Sequence, residues 1–79
     1  MLRENSAPDR VERYESYRQG AVETRTFERG DDHLCYGVGD DGELYDFCFL
    51  GEEETLFTHG VLSPQEREIA QRFLDELLS

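Results

Sequence analysis

The clearest periodicity in the chain lies at its C-terminal end. Ile69, Ala70, Phe73, Leu74, Leu77 and Leu78 recur at helical spacing, and Glu68, Gln71, Arg72, Asp75 and Glu76 fill the positions between them. Ser63-Pro64-Gln65-Glu66, just ahead, spells a capping box with proline at the first helical position. The pattern predicts a helix over 64–78.

Upstream, four runs rich in β-branched and aromatic residues alternate with turn chemistry. They cover about 21–29, 33–38, 44–50 and 55–61, and are separated by Gly30-Asp31-Asp32, Gly39-Asp40-Asp41-Gly42 and Gly51-Glu52-Glu53-Glu54. Spacings this short allow only hairpins, so the runs should form a four-stranded antiparallel meander. Ahead of them, Ser6-Ala7-Pro8-Asp9 has the chemistry of a helix start, and Val11, Tyr14 and Arg18 share one helical face before Gly20. The expectation is a weakly amphipathic helix over 7–19, with residues 1–6 frayed. The fold class that follows is α+β in one domain, 1–79. An N-terminal helix leads into the four-stranded meander, and a C-terminal amphipathic helix packs on one sheet face.

Two-residue hairpin loops at Asp40-Asp41 and Glu52-Glu53 would set the register. Leu34, Tyr36 and Val38 would then share the core face with Tyr45, Phe47, Phe49 and Leu56, joined by Phe27. The opposite face would gather His33, Cys35, Asp46, Cys48, Phe57 and His59, with His33 opposite Cys48, Cys35 opposite Asp46, and Asp46 opposite His59. A slip of one residue in either hairpin would exchange the faces.

Charge adds a second layer. All eight basic residues are arginine, against nineteen acids, for a net charge of −11. Residues 1–30 are balanced, with six Arg and six acids, whereas residues 31–62 hold nine acids and no base. This lysine-free, acid-rich composition resembles that of small acidic cytoplasmic proteins of salt-in halophiles, of the haloarchaeal type. The resemblance covers the whole chain and rests on no motif. It implies a surface kept hydrated in molar salt, where a Debye length of about 3 Å makes self-repulsion tolerable. Monovalent cations would be held non-specifically. No apolar run approaches the ~18 residues that span a bilayer, and Met1 to Arg10 has no apolar signal region, so the expected location is cytoplasmic and no membrane contact is expected. Two cysteines are too few for a disulfide framework and should be free thiols.

Candidate chemistry follows from the two unusual surfaces. Cys35, Cys48, His33, His59 and Asp46 are zinc-ligand types that the assumed register gathers on one sheet face. Their spacing matches no zinc signature, and Cys is commonly a small buried hydrophobe. Asp31, Asp32, Glu52, Glu53 and Glu54 fall in loops at one end of a meander and form a candidate interaction surface. They show no EF-hand pattern, and solvated turns are their ordinary role. Gly37-x-Gly39-x-x-Gly42 spells a dinucleotide fingerprint but sits in a hairpin among acids, with no helix to follow. A thiol–imidazole pair is disfavoured by the acidic surroundings, which raise thiol pKa values.

The function expected on these grounds is non-catalytic, without cofactor: a small intracellular interaction or accessory protein of a halophile. Its partner would be another protein or a second copy, since a homodimer would cover a sheet edge or the second face. The alternatives are an acidic mimic that binds a basic nucleic-acid-binding protein, and a zinc-binding protein using the sheet face. Direct contact with nucleic acid is opposed by the net charge.

Overall fold

The computed structural model describes all 79 residues. Five antiparallel strands form one sheet in the order β1-β2-β3-β4-β5, and a single helix follows. The strands are β1 (Arg10–Ser16), β2 (Gly20–Arg29), β3 (Asp32–Gly39), β4 (Leu44–Leu50) and β5 (Thr55–Phe57). Helix α1 spans Pro64–Leu78 and begins with the expected capping box, Ser63 and Glu66 each accepting from the other's backbone N–H.

The α+β class and the antiparallel sheet agree with the sequence pattern, but the N-terminal helix and the four-stranded meander do not. Residues 10–16 form a fifth strand, paired along its length with β2. The signals that suggested a helix serve a hairpin instead. Asp9 N–H donates to Thr26 O at 2.8 Å, and its carboxylate accepts from Glu28 N at 2.7 Å and Arg29 Nη1 at 2.8 Å. Gly20, which suggested a helix stop, has φ 72 where the hairpin closes, and Ser16 Oγ accepts from Arg18 N and Gln19 N at 3.3 Å. The thin apolar stripe is explained too, since Val11 and Tyr14 alternate on opposite faces of a strand whose two sides are solvated. Opposite charges face each other at Arg13↔Glu23, and charge on both sides of an edge strand discourages pairing with another chain.

The β3–β4 hairpin also departs from the two-residue loop. Gly39 N donates to Glu43 O and Gly42 N to Gly39 O, each at 3.0 Å, which makes the loop Asp40-Asp41-Gly42, with Gly42 at φ 80. The longer loop brings Leu44 opposite Val38 and Tyr45 opposite Gly37. Leu44 therefore enters the core, and Tyr45, expected there, turns to the second face. Its ring lies against Gly39, where a Cβ would come within 2.7 Å of Tyr45 Cε2. A bulge between the Cys35 and Gly37 positions then restores Phe47 and Phe49 to the core face. The β4–β5 register is the one a Glu52-Glu53 loop requires, with Cys48↔Phe57, Phe49↔Leu56 and Leu50↔Thr55. Strand β5 is shorter than the expected 55–61. Past Phe57 the chain follows β4 irregularly, turning at Gly60 (φ 73) and reaching Leu62, whose N–H donates to Leu44 O at 2.9 Å.

The core lies between the sheet and α1. Phe27, Leu34, Tyr36, Leu44, Phe47 and Phe49 face Leu62, Ala70 and Leu74, with Phe73, Leu77 and Leu78 at the margin. The first residues are not frayed. Leu2 joins the core at 8 % exposure, and Arg3 exchanges hydrogen bonds with the Gln71 side chain at 2.8 and 3.0 Å. Beside it, Glu4 takes a bidentate pair from Arg25, both bonds 2.6 Å, and accepts from the Tyr36 hydroxyl. Glu23 braces the same guanidinium at 2.7 Å. The Glu4 and Arg25 side chains are only 11 % and 15 % exposed, so this is an interior ion pair rather than a surface one.

Burial alone would raise the Glu4 pKa, but the hydrogen bonds from Arg25 and Tyr36 outweigh it and hold the carboxyl below its ordinary value. A carboxyl depressed on folding contributes stability above its unfolded pKa and loses it as pH falls through the folded value. Glu4→Gln should therefore cost about 1.5–3 kcal/mol at pH 7, and should lessen the decline in stability below about pH 4. Urea titrations of both proteins between pH 3 and pH 7 would check both expectations.

Candidate functional site

Two surfaces carry the candidate residues, and the structure treats them differently. On the sheet face away from α1, the five zinc-ligand candidates do not converge. Cys35 sits opposite Cys48, not Asp46, and His33 opposite Leu50, not Cys48. His33 Nδ1 lies 3.7 Å from Glu28 Oε1. His59 is almost fully exposed, 4.0 Å from Asp46. No group of three or more His, Cys, Asp or Glu side chains is placed to hold a metal ion. The cause is the two-step departure of β4 from the assumed register, first the longer loop and then the bulge.

Asp46 is the residue that the bulge adds, and its role is structural. It alone among non-glycine residues has positive φ, at 52. Its Oδ1 accepts from Gly60 N at 2.7 Å, and its N–H donates to Gly60 O at 3.0 Å. The carboxylate thus ties the bulge to the turn beside it. Burial pushes the Cys35 thiol up to about 11, helped by Cys48 next to it, and burial also raises Cys48. Neither is a poised thiolate at neutral pH.

The second surface is a cleft of about 350 Å³ at the end of the sheet that holds the β2–β3 and β4–β5 turns. Phe49, Phe73 and Leu77 form its floor, and Asp32, Glu52, Glu53, Glu54 and Glu76 its walls. Three separate elements build it. Strand β4 supplies Phe49, whose ring centroid stands 4.7 Å from that of Phe73 on α1. The β4–β5 turn closes with Gly51 N donating to Glu54 O at 2.8 Å, and this carries three successive glutamates around the rim. Gly51 is needed there, since a Cβ would come within 2.6 Å of the Phe49 ring and 3.2 Å of Glu54 O. The last turns of α1 bring Glu76 and Leu77 across from that loop.

None of the five wall carboxylates is paired. The arginine ion pairs of the molecule go to Glu4, Asp9, Glu12, Glu23, Glu28 and Glu43. A larger cleft, about 440 Å³, follows the seam between Met1–Arg3 and α1. Its charges are mixed and partly satisfied within the chain, Gln71 by Arg3 and Asp75 and Arg67 by Glu43. The acidic cleft differs from it in that all its charges are of one sign and none is paired with arginine.

Of the sequence candidates, Asp32 and Glu52–Glu54 lie on this cleft, while Asp31 is in the turn beside it and does not line it. Glu76 and the apolar floor were not anticipated. Helical spacing assigns Glu76 to the polar face of α1 but does not say which loop that face approaches. No family model, no curated protein and no solved structure matches the chain.

Replacing Asp46 separates structure from chemistry. Asp46→Ala loses the bond to Gly60 and keeps the strained φ, and should destabilise the fold by about 1–3 kcal/mol. Asp46→Asn keeps an acceptor and tolerates positive φ, and should cost well under about 1 kcal/mol. Guanidinium titrations would check the order. A reversed order would remove the structural role assigned to this side chain.

Proposed function

We propose that this chain is a non-catalytic interaction protein whose docking surface is the acidic cleft. The observation that carries the reading is the combination of five unpaired carboxylates with a floor of Phe49, Phe73 and Leu77. The cleft leaves this margin of the core open beside the acids. A small-molecule pocket would bury its ligand more completely than this open site. The chemistry that fits is a protein segment with an apolar anchor flanked by arginine or lysine. The apolar group would supply buried area and the cations would supply steering and register. A basic nucleic-acid-binding protein is one source of such a segment, and in that case the carboxylates would stand where phosphates otherwise bind.

The test uses two fluorescent peptides of equal charge, one basic with a central Leu/Phe anchor and one basic with Ser in its place. The anchored peptide should bind at least about tenfold tighter, a difference of ~1.4 kcal/mol. Glu52→Gln/Glu53→Gln/Glu54→Gln should weaken it by a similar factor, and affinity should fall with salt. Equal binding of the two peptides, or no effect of the triple variant, would overturn the reading.

The salt-in halophile setting is a proposal of the same standing, supported by the absence of lysine and the net charge of −11. With thirteen acids against two arginines in residues 31–79, repulsion within the native state should be severe in dilute buffer. The thermal midpoint should climb steeply between 0.1 and 2 M KCl, measured by scanning calorimetry. A flat response would count against this setting while leaving the cleft untouched.

A further inference from the structure

The bulge at Asp46 does more than return Phe47 and Phe49 to the core. Together with the longer β3–β4 loop, it moves β4 two places from the register of a plain two-residue hairpin and sets the chain's only two cysteines directly opposite each other, Cys35 on β3 and Cys48 on β4. Both are free thiols, Cys48 buried and Cys35 half-buried. Phe47 O accepts from Thr58 N, so the backbone polar groups of Phe47 point toward β5. Those of Cys48, the next residue, point the other way, toward β3. Cys35 and Cys48 thus form a hydrogen-bonded antiparallel pair, for which the Cα atoms stand about 5.5 Å apart. That lies within the range of about 4.4–6.8 Å that disulfides use. The opposed Cβ atoms of a hydrogen-bonded pair stand at the wide end of the range, about 5.5 Å, against about 3.5–4.5 Å in a disulfide. Closing the bond requires the two strands to pinch slightly, and a bond closed under strain is easily reduced.

We propose that Cys35 and Cys48 are a reversible dithiol–disulfide pair, closed by exchange with a low-molecular-weight disulfide and reopened by the matching thiol. The more exposed Cys35 attacks first. Its thiol loses a proton, its Sγ bonds to one sulfur of the small disulfide, and the other sulfur leaves as a thiolate. Cys48 then loses its proton and attacks Cys35 Sγ, expelling the second thiolate. The small disulfide gains two electrons and becomes two thiols, and the protein loses two hydrogens and gains one S–S bond. Burial keeps both thiols protonated at neutral pH, so closure is slow. The bond would cross the middle of the sheet on the face away from α1. It is separate from the acidic cleft and does not depend on the docking role proposed for it.

The experiment is equilibration of the full chain in buffers of oxidised and reduced glutathione, with acid quenching and intact-mass and peptide mapping. The expected product is a monomer lighter by two hydrogens, with Cys35 linked to Cys48 and fully restored by excess reduced glutathione. A substantial reduced fraction should persist at ratios that fully oxidise unstrained structural disulfides. Cys48→Ser should stop at one glutathione on Cys35. The proposal is overturned if wild type accumulates a stable glutathione adduct, if only disulfide-linked dimers form, or if both thiols stay free in the most oxidising buffer.

Discussion

One surplus residue in β4 governs most of what is distinctive in this molecule. Asp46 occupies a backbone conformation that side chains rarely adopt, and it is held there by two hydrogen bonds to Gly60. Without the extra residue, the longer β3–β4 loop would leave Phe47 and Phe49 on the wrong face, because a strand has a strict period of two. With it, both rings meet Phe73 on α1, at 6.3 and 4.7 Å between centroids. The same residue obliges the chain after Phe57 to depart from regular pairing, which brings Leu62 into the core and delivers Ser63 to the start of α1. Core, helix placement and cleft floor all descend from this one departure from ladder geometry.

The core thus assembled is small, as it must be in a chain of 79 residues. Helix α1 covers β4 and its neighbours but not the whole sheet, and the remaining opening is closed by the first four residues. This places an unusual demand on Tyr36. Its ring is fully buried against Phe27, with centroids 6.5 Å apart, while its hydroxyl still needs a partner. Glu4 supplies one, Arg25 neutralises that carboxylate, and Glu23 braces Arg25. An apolar strap could have covered the opening, but it would have left the hydroxyl unsatisfied. The charged strap is therefore the consequence of a tyrosine in the core.

How far the sequence reveals this depends on which physical signal each element carries. Helix α1 was legible to the residue, because its cap and its apolar period are local. The β4–β5 register was legible as well, since Glu52-Glu53 sits between two glycine- and threonine-bounded strands with no competing loop. Residues 7–19 were not. Pro8, Asp9 and Gly20 are consistent with either a helix or a hairpin, and what decides is the long-range pairing of Val11 and Tyr14 with β2. The bulge was not legible, because Asp46 lacks the glycine that usually marks a positive φ. Since the zinc-ligand set depended on that register, it dispersed with it. Asp32 and Glu52–Glu54 do lie together, with Asp31 outside the cleft, because loops at the same end of a meander are neighbours whatever the exact register. The floor did not show, because it depends on how α1 lies across the sheet.

The uneven charge of the chain acquires a physical cause from these contacts. Of the six arginines in the first thirty residues, three are held in ion pairs. Arg25 clasps Glu4 and Glu23, Arg29 holds Asp9, and Arg10 stands beside Glu12 and Glu28. Edge strand and strap both need these pairs, so neither can be given over to acids alone. After Asp31 the sheet is held mainly by apolar rows, and although Asp41, Glu43, Asp46 and Glu66 make structural contacts, the acids of the cleft wall make none with arginine. Avoidance of lysine can be ascribed to solvent over the whole chain, but solvent makes no distinction between one loop and another. The local difference is that Glu52, Glu53 and Glu54 stand unpaired around Phe49, Phe73 and Leu77. The three apolar side chains belong to the edge of the core, and the cleft leaves that edge open beside the acids. A cationic segment with an apolar anchor would satisfy both at once.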